Sequence, residues 1–350
     1  MRAHRIALIP GDGVGTEVLD TAWTVLKAAA SRQHFTLEGE LFPWSCRYFE
    51  QHGRMMPEDG LSQLSQFDAI FLGAVGWPQT VPDSVSLHGL LLPIRKKFDL
   101  FVNERPHRLL PGTQSPLRKD KFDILCIREN TEGEYAGAGG RVHVGTSSEV
   151  AVETSVFTRR AITNILRYGF ERARQRSGRL ASVTKSNAQR HSMVLWDEIT
   201  EEVAAEFPDV RATRYHVDAI AARFVTHPES LDVVVASNLF GDILSDLGAA
   251  IQGGLGFAAS ANLNPSSDVP SMFEPVHGSA PDIAGQGIAN PLAAIWAGSM
   301  MLSHLGETAA ADSILRAIES VTAERRLLTP DQGGSSSTAE VGSAVVDALR

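Results

Sequence analysis

Apolar runs of strand length alternate along this chain with stretches in which apolar side chains recur every three or four positions. The short runs predict strands over residues 5–9, 67–72, 122–127, 181–184 and 231–236. The longer pattern predicts helices over residues 16–31, 157–172, 193–207, 309–325 and 341–349, with Thr16 capping the first. This alternation is typical of an α/β fold in which helices flank a mostly parallel sheet.

Two turn-rich segments, residues 98–106 and 253–256, are the expected points at which the chain passes between two lobes. One predicted lobe consists of residues 1–99 plus 253–350 and holds both termini, and the other consists of residues 100–252. A glycine-rich stretch favours a protruding hairpin arm near residues 136–154. A chain of 350 residues is long enough for two lobes of this size.

Composition excludes several kinds of partner. The formal net charge is −9, whereas a surface that binds nucleic acid needs clustered lysine and arginine. Residues 288–305 form the most apolar long window, but polar side chains interrupt it, which predicts a buried helix and not a membrane span. Cys46 and Cys126 offer neither zinc-ligand spacing nor a disulfide framework. The N-terminus lacks the pattern of a signal peptide, and a cytoplasmic location is expected.

A pair of carboxylates follows the strand predicted at residues 231–236. Residues 238–246 have the sequence NLFGDILSD, which predicts a loop and then a helix that begins at Asp242. Asp242 and Asp246 are four positions apart and therefore lie on one helical face. Two hypotheses fit this pattern. Either the pair binds Mg²⁺ or Mn²⁺ through oxygen ligands, or Asp242 caps the helix while Asp246 offsets the helix dipole.

Five further side chains are candidates for substrate binding or proton transfer. Arg95, Arg105 and Arg128 each flank the end of a predicted strand or helix, and guanidinium groups that converge would hold a small dicarboxylate. Lys185 follows a predicted strand, where a desolvated lysine can act in proton transfer, and Tyr135 is a candidate acid. For each residue taken alone, packing or solvent exposure is the ordinary alternative.

Two loops rich in glycine are candidate cofactor sites. Residues 9–17 join the first strand to the first helix, and there either the backbone approaches a ligand or the chain makes a tight βα turn. This segment departs from the GxGxxG pattern of a Rossmann domain. Residues 273–291 are dense in glycine, proline, aspartate and histidine, which favours a shaped binding loop over an ordinary surface loop. A carboxylate in such a loop would accept the ribose hydroxyls of a nucleotide and repel a 2′-phosphate.

In this order the segments resemble the β-decarboxylating dehydrogenases, a family that includes the isopropylmalate, isocitrate, homoisocitrate and tartrate/D-malate dehydrogenases. The resemblance extends from Ile6 to the C-terminal helix and is most specific over residues 238–247 and over residues 274–285, which have the sequence EPVHGSAPDIAG. The segments that resemble the tartrate/D-malate subgroup are residues 53–57, 73–78, 81–83, 85–87, 129–135 and 260–265. The resemblance implies the two-lobed fold of isopropylmalate dehydrogenase, with a mixed parallel sheet flanked by helices, and not a Rossmann fold.

The resemblance also implies roles for individual residues. Arg95, Arg105 and Arg128 would hold the substrate carboxylates, while Lys185 would transfer the proton of the substrate hydroxyl and Tyr135 would protonate the enol after CO₂ leaves. Mg²⁺ or Mn²⁺ would be bound by Asp218, Asp242 and Asp246. Lys185 and Asp218 would come from the partner subunit of a homodimer, built through the lobe of residues 100–252.

The cofactor site that the resemblance implies lies in the lobe with both termini. It would be formed by Glu274, His277, Gly278, Ser279, Ala280, Asp282, Ile283 and Asn290. Asp282 and Ile283 resemble the pair found in NAD-dependent members of the family, which predicts NAD as the cofactor.

The implied reaction is the NAD- and metal-dependent oxidative decarboxylation of an (R)-malate-type dicarboxylate, either D-malate to pyruvate and CO₂ or tartrate. Ser86 and His88 precede Arg95 and are expected to face a substrate hydroxyl, while Leu91 and Leu92 are expected to pack into the helix core. His88 departs from the tryptophan of the tartrate/D-malate subgroup and from the glutamate of isopropylmalate enzymes. Glu104 stands where an apolar residue is usual.

Two alternatives remain at this point. The same chemistry on 3-isopropylmalate or another 3-substituted malate is the first. The second is a non-catalytic, nucleotide-binding regulatory relative, which is disfavoured because the candidate catalytic residues are all present.

Overall fold

The computed structural model describes residues 2–118, 121–265 and 268–350. Its strands are β1 (Ala3–Gly11), β2 (Thr36–Leu41), β3 (Ala69–Ala74), β4 (Val102–Arg108), β5 (Asp123–Glu129), β6 (Gly133–Val142), β7 (Val150–Val156), β8 (Arg179–Thr184), β9 (Arg211–His216), β10 (Val233–Ala236), β11 (Ala259–Leu263) and β12 (Ser271–Pro275). Its α-helices are α1 (Val14–Arg32), α2 (Cys46–His52), α3 (Gly60–Leu64), α4 (Asp83–Ser86), α5 (Leu92–Lys97), α6 (Arg159–Arg174), α7 (Ser192–Ala204), α8 (Val217–Thr226), α9 (Asn238–Ile251), α10 (Leu292–His304), α11 (Thr308–Glu324) and α12 (Thr338–Ala348). A turn of π-helix, Leu87–Leu91, follows α4, and short 3₁₀ turns occupy Pro228–Ser230, Leu255–Phe257 and Pro330–Gln332.

The first of two compact units consists of Met1–Leu100, Arg108–Asp120 and Ala249–Arg350. Its strands lie in the order β2-β1-β3-β12-β11. The pairing is parallel except between β11 and β12, which are antiparallel. Helix α1 packs against α10 and α12 through the apolar stripe that its sequence predicts, because Val18, Ala22 and Leu26 are buried.

The second unit consists of Phe101–His107 and Lys121–Gly248, and its strands lie in the order β4-β5-β10-β8-β9. Strands β5, β10, β8 and β9 pair in parallel, and α6 packs against α7 and against this sheet. Strands β6 and β7 form a separate antiparallel hairpin. Each unit is therefore α/β, with mostly parallel strands flanked by helices, which confirms the predicted fold class.

Two of the predicted helix starts that differ from the structure bear on the candidate sites. Helix α1 begins at Val14 and not at Thr16, because Gly13 adopts a positive φ of 57° that ends the turn, and the Thr16 hydroxyl donates to the Gly13 carbonyl from inside the helix. Helix α9 begins at Asn238, four residues before Asp242, and the Gly241 amide already donates a helical bond to the Ser237 carbonyl. Asp242 is therefore not a helix cap.

The unit boundaries differ from the predicted lobes. The predicted boundaries followed residues 99 and 252, whereas the units divide after Leu100 and before Ala249, and Arg108–Asp120 groups with the first unit. Contacts within the first unit explain this difference. The Ser115 hydroxyl donates a 2.6 Å hydrogen bond to the Ile251 carbonyl, and Gly112 lies against the backbone of Thr322.

Helix α10 lies within the apolar window of residues 288–305 and is buried over most of its length. No helix in the described part of the chain is both long and apolar enough to cross a membrane. Cys46 and Cys126 are free and buried.

Candidate active site

Strands β4 and β5 of the second unit each carry a buried arginine, Arg105 and Arg128. Neutral side chains hold the guanidinium group of Arg105. Its Nε donates to Oδ1 of Asn103 at 2.8 Å, and its Nη1 donates to the Ser245 hydroxyl at 2.8 Å. Because a buried guanidinium must satisfy its donors, these contacts fix the direction in which Arg105 points.

Arg128 is held in the same way by the first residue of α9. Its Nε and Nη2 donate to Oδ1 of Asn238 at 2.9 and 2.7 Å, and the Asn238 amide group donates to the Glu132 carbonyl at 2.9 Å. The remaining terminal nitrogen of Arg128, Nη1, donates to the Asp242 carboxylate. Gly241 is required here, because a Cβ at this position would lie 2.6 Å from the Cβ of Arg128.

The carboxylate of Asp242 is the point at which these side chains meet. Besides Arg128, it lies 3.2 Å from Nη1 of Arg105 and accepts a 3.0 Å hydrogen bond from the Tyr135 hydroxyl. Asp246, one helical turn later, lies 3.6 Å from the same Arg105 nitrogen. The predicted face shared by Asp242 and Asp246 is thus present, and it lies against both arginines.

The electrostatics of this face favour a further positive charge. Partial burial raises the pKa of the Asp246 carboxyl, the charge of Asp242 raises it further, and Arg105 and Arg128 oppose this shift. A carboxylate that is costly to ionise is stabilised by a nearby cation. Two aspartates on one helical face are a suitable part of the oxygen ligand set of Mg²⁺ or Mn²⁺.

Lys185 and Asp218 form a second cluster in this unit. Strands β8 and β9 are parallel neighbours in which Thr184 pairs with His216, so the residues that follow them come together. The Lys185 Nζ lies 2.5 Å from Oδ1 of Asp218 and lowers the pKa of that carboxyl by hydrogen bonding. Over residues 2–118, 121–265 and 268–350, no three metal-binding side chains lie close enough together to hold an ion. Asp218 therefore does not complete a site with Asp242 and Asp246 within one chain.

The third predicted arginine, Arg95, lies on α5 of the first unit. Its Nη2 forms a buried 3.0 Å ion pair with Glu274, which also accepts a 2.9 Å hydrogen bond from the Asn262 amide group. In the described chain the buried Nε of Arg95 has no hydrogen-bond partner. The predicted cofactor residue Glu274 thus contacts Arg95 and orients it.

The loop after β12 rests on the glycine-rich turn after β1. The Val14 amide donates to the Ser279 carbonyl at 2.8 Å, and a Cβ on Gly13 would lie 1.9 Å from that carbonyl oxygen. The Asp12 carboxylate accepts hydrogen bonds from the amides of Cys46 and Gly76. These contacts favour the tight-turn interpretation of residues 9–17, since the glycines permit close approach of backbone to backbone.

The side chains of the loop after β12 differ in availability. Asp282 is exposed, and among the described residues its carboxylate has no partner. His277 is held neutral, because burial lowers its pKa, and its Nδ1 donates to the Gly278 carbonyl at 3.0 Å. Ala280 adopts a positive φ of 41°, and Ile283 is half-buried. The Asn290 amide group, in contrast, donates to Asp331 at 3.1 Å.

The predicted specificity residue His88 lies in the π-helical turn Leu87–Leu91 and is exposed. Such turns are frequent at functional sites. Ser86 is buried, and its hydroxyl donates to the Asp83 carbonyl at 3.1 Å, so it does not face a ligand as predicted. Leu91 and Leu92, which were expected to pack into the helix core, are half-buried.

A model of the isocitrate/isopropylmalate dehydrogenase family matches residues 5–345. The chain belongs to this family. It is 50% identical to a probable tartrate dehydrogenase/decarboxylase of Bacillus subtilis (strain 168), over 100% of this chain and 99% of the relative. It is 54% identical to the D-malate dehydrogenase (decarboxylating) of Escherichia coli (strain K12), over 99% and 98%. A tartrate dehydrogenase/decarboxylase of Pseudomonas putida is 51% identical, over 100% and 99%.

The fold agrees with this family. The crystal structure of isocitrate dehydrogenase from Methylococcus capsulatus matches with a TM-score of 0.90 and 36% identity, over 99% of each chain. This chain is therefore a decarboxylating dehydrogenase of the family, and the hypothesis of a non-catalytic relative is wrong. The family uses NAD or NADP together with a divalent metal ion.

Sequence reasoning missed the residues that hold the two arginines of the second unit. These residues are buried. Asn103 accepts a hydrogen bond from Arg105, and Asn238 accepts one from Arg128. The Ser245 hydroxyl accepts from Arg105 and donates to the backbone of α9. One signal was available for Asn103 and Asn238, which follow apolar runs of the sequence, because a polar side chain that is buried needs a hydrogen-bond partner. In this family member those partners are the predicted substrate-binding side chains.

Proposed function

We propose that the chain catalyses the NAD- and divalent-metal-dependent oxidative decarboxylation of an (R)-malate-type dicarboxylate, with D-malate or tartrate as the substrate. The observation that carries this proposal is the convergence of Arg105, Arg128 and Tyr135 on Asp242. It joins two carboxylate-binding groups, a proton donor and a metal-ligand candidate in one cluster. The chain is 50–54% identical, over 99–100% of its length, to relatives named for tartrate and D-malate, which supports the choice of substrate.

In this proposal Arg105 and Arg128 bind the substrate carboxylates, and Arg95 contributes a third guanidinium group. Each presents a planar fork that matches a carboxylate, and each is already oriented by an acceptor from the chain. Substrate binding therefore costs little side-chain ordering. The Arg95 Nε, buried without a hydrogen bond in the described chain, is a donor available to such a carboxylate.

Asp242 and Asp246 would hold the divalent metal, together with Asp218 of a partner subunit. When bound, the nicotinamide accepts a hydride and the metal ion stabilises negative charge on the substrate oxygens. Lys185 would take the proton of the substrate hydroxyl during oxidation. Tyr135 would donate a proton to the enol carbon after CO₂ leaves, and its 3.0 Å bond to Asp242 fixes the direction of its hydroxyl.

We expect a strong preference for NAD⁺ over NADP⁺. The exposed carboxylate of Asp282 would accept the ribose hydroxyls and repel a 2′-phosphate. Exchanging Asp282→Lys together with Ile283→Tyr should narrow or reverse the ratio of the two kcat/KM values, while Asp312→Lys on the exposed face of α11 serves as the charge-matched control. Equal efficiency of the unmodified enzyme with both cofactors would contradict this assignment.

For the substrate, we expect kcat/KM for D-malate or tartrate to exceed that for 3-isopropylmalate. The exposed His88 offers a polar group for a hydrogen or hydroxyl at C3, whereas an isopropyl group needs an apolar wall. Each methylene changes selectivity by only about 1–3 kcal/mol, so His88→Trp and His88→Glu should shift the ratio without abolishing turnover. A tenfold preference for 3-isopropylmalate would reject the subgroup assignment and leave the family unchanged.

The alternative substrate, 3-isopropylmalate or another 3-substituted malate, is favoured by one observation. Leu91 and Leu92 are half-buried and so keep apolar surface available beside the π-helical turn. The same comparison of NADH production from a panel of malates decides between the two candidates.

We further propose a homodimer in which each active site draws residues from both subunits. Two observations support it. Asp218 pairs with Lys185 and does not join Asp242 and Asp246 within the described chain. The β6–β7 hairpin exposes Val142, Val150 and Val152, which is apolar surface suited to a partner copy.

Complementation tests the shared site. We expect Lys185→Ala and Asp242→Asn subunits to be inactive alone. After unfolding and refolding as an equimolar mixture, half of the dimers are mixed and one of their two sites contains both native residues. The mixture should regain about a quarter of the native activity in a symmetric dimer. No recovery, with mixed dimers demonstrated by differently tagged subunits, would contradict a shared site.

A further inference from the structure

A pocket lined by three arginines lies in the second unit, at the ends of β8 and β9 opposite Lys185 and Asp218. Its volume is about 220 Å³, and Arg179, Arg211 and Arg223 line it together with Tyr215 and Asp232. Arg179 and Arg211 begin the two strands and are paired in register. Because these strands are parallel, both arginines lie at the N-terminal ends of the strands, whereas Lys185 and Asp218 follow the C-terminal ends.

Two of the three guanidinium groups are held in place by neutral groups. The Nε of Arg223 donates to the Ser230 hydroxyl at 2.7 Å, and its guanidinium carbon lies 5.4 Å from the centre of the Tyr215 ring. Arg179 donates to the Ser177 hydroxyl at 3.0 Å and to the Ser230 carbonyl at 3.3 Å. These contacts leave several N–H donors of each guanidinium unused.

The positive charge of the pocket is not balanced by the chain. Within the described ranges none of these three arginines forms an ion pair, although most other arginines of the second unit do. The carboxylate in the lining, Asp232, accepts from Arg176 at 2.6 Å and from the Ser177 amide at 3.0 Å. The pocket therefore carries excess positive charge, although the whole chain has a net charge of −9. A bound anion would reduce the repulsion between its arginines.

We propose that this pocket binds a small oxyanion with at least two negative charges, a phosphate or a polycarboxylate. Guanidinium groups present paired donors that match the oxygens of both kinds of ion, and three of them around one pocket select for multiple charge. Nothing in the proposed reaction uses this pocket, so its ligand is neither the substrate at the active site nor the nicotinamide cofactor.

The bound anion is expected to act on the active site through α8. This helix carries Asp218 in its first turn and Arg223 further along, so an anion that holds Arg223 also restrains the helix that presents Asp218. Strands β8 and β9 likewise connect the pocket to Lys185 and to α8. This coupling rests on the proposed metal-binding role of Asp218, whereas the binding of the anion does not.

Calorimetric titration of the full-length protein with inorganic phosphate, and separately with tricarballylate, tests the site at constant ionic strength. Arg211→Ala is the first variant, because Arg211 is exposed and its loss removes no contact seen in the described chain. We expect it to weaken the binding of at least one probe about tenfold, and Arg211→Glu to abolish that binding. The probe whose binding the Arg211 variants weaken identifies the ligand as a phosphate or as a polycarboxylate.

Arg316→Ala is the matched control, since it removes the same charge from an exposed position on α11. Unchanged binding in Arg211→Ala and Arg211→Glu, or an equal loss in Arg316→Ala, would overturn the site. For the coupling, the responding anion should change the KM for Mg²⁺ at least twofold in the native enzyme and not in Arg211→Ala. If the anion binds but the KM for Mg²⁺ does not change, the coupling is wrong and the binding site stands. If the enzyme shows no turnover, the proposed function is wrong, and the titration still tests whether the pocket binds an anion.

Discussion

Replacing Asp242 with asparagine should lower kcat/KM at least a hundredfold, which corresponds to a barrier increase on the order of 3 kcal/mol. The change preserves the shape of the side chain and removes one charge. Asp242 is the acceptor shared by Arg105, Arg128 and Tyr135, so neutralising it affects the metal ligand set and the orientation of both arginines. The KM for Mg²⁺ should rise as well, because a neutral amide is a weaker ligand of a hard cation.

Two controls separate metal binding from a loss of folding. Asp209→Asn makes the same exchange at an exposed aspartate that pairs with Arg174, and it should leave turnover unchanged. Excess EDTA should abolish the activity of the native enzyme, and added Mg²⁺ or Mn²⁺ should restore it. Full activity in excess EDTA would rule out the metal role of Asp242 and Asp246.

Replacing Lys185 with alanine should abolish substrate oxidation, and Tyr135→Phe should act at a later step. A positioned acid or base contributes about 10²–10⁴-fold to a rate, so each variant should lose that much steady-state turnover. The steps can be told apart by stopped flow. Tyr135→Phe should produce NADH rapidly in the first turnover and slowly afterwards, while Lys185→Ala should show no rapid phase.

The matched control for the lysine is Lys27→Ala, which removes an exposed lysine from α1. It should retain native kinetics in both phases. If Tyr135→Phe kept full steady-state turnover, Tyr135 would serve only as the hydrogen-bond donor to Asp242 and as the ring beside Arg128. If Lys185→Ala retained a rapid phase, the base would be another group.

Local periodicity predicted the apolar strands and the amphipathic helices, because those patterns depend on neighbours in the sequence. It did not predict β4, β9 or α8, whose sequences are interrupted by polar side chains. Strand β5, which carries Arg128, strand β8, which ends just before Lys185, and strand β10, which precedes Asp242, were predicted and are present. Helix ends were less predictable. Helix α9 begins at Asn238, four residues earlier than expected, and the Asn238 side chain is held there by its hydrogen bonds to Arg128 and Glu132. Those bonds join residues about a hundred positions apart, and no local pattern encodes them.

The sequence by itself determined the α/β class, the spacing that puts Asp242 and Asp246 on one helical face, and the family resemblance that supplied residue roles. Only the tertiary structure decided which of these side chains meet. Arg105 and Arg128 reach Asp242 because β4 and β5 are neighbours, and Lys185 pairs with Asp218 because β8 and β9 align Thr184 with His216. Strand order and register depend on packing between distant segments, so the contacts that build the site follow from the folded chain and not from local sequence.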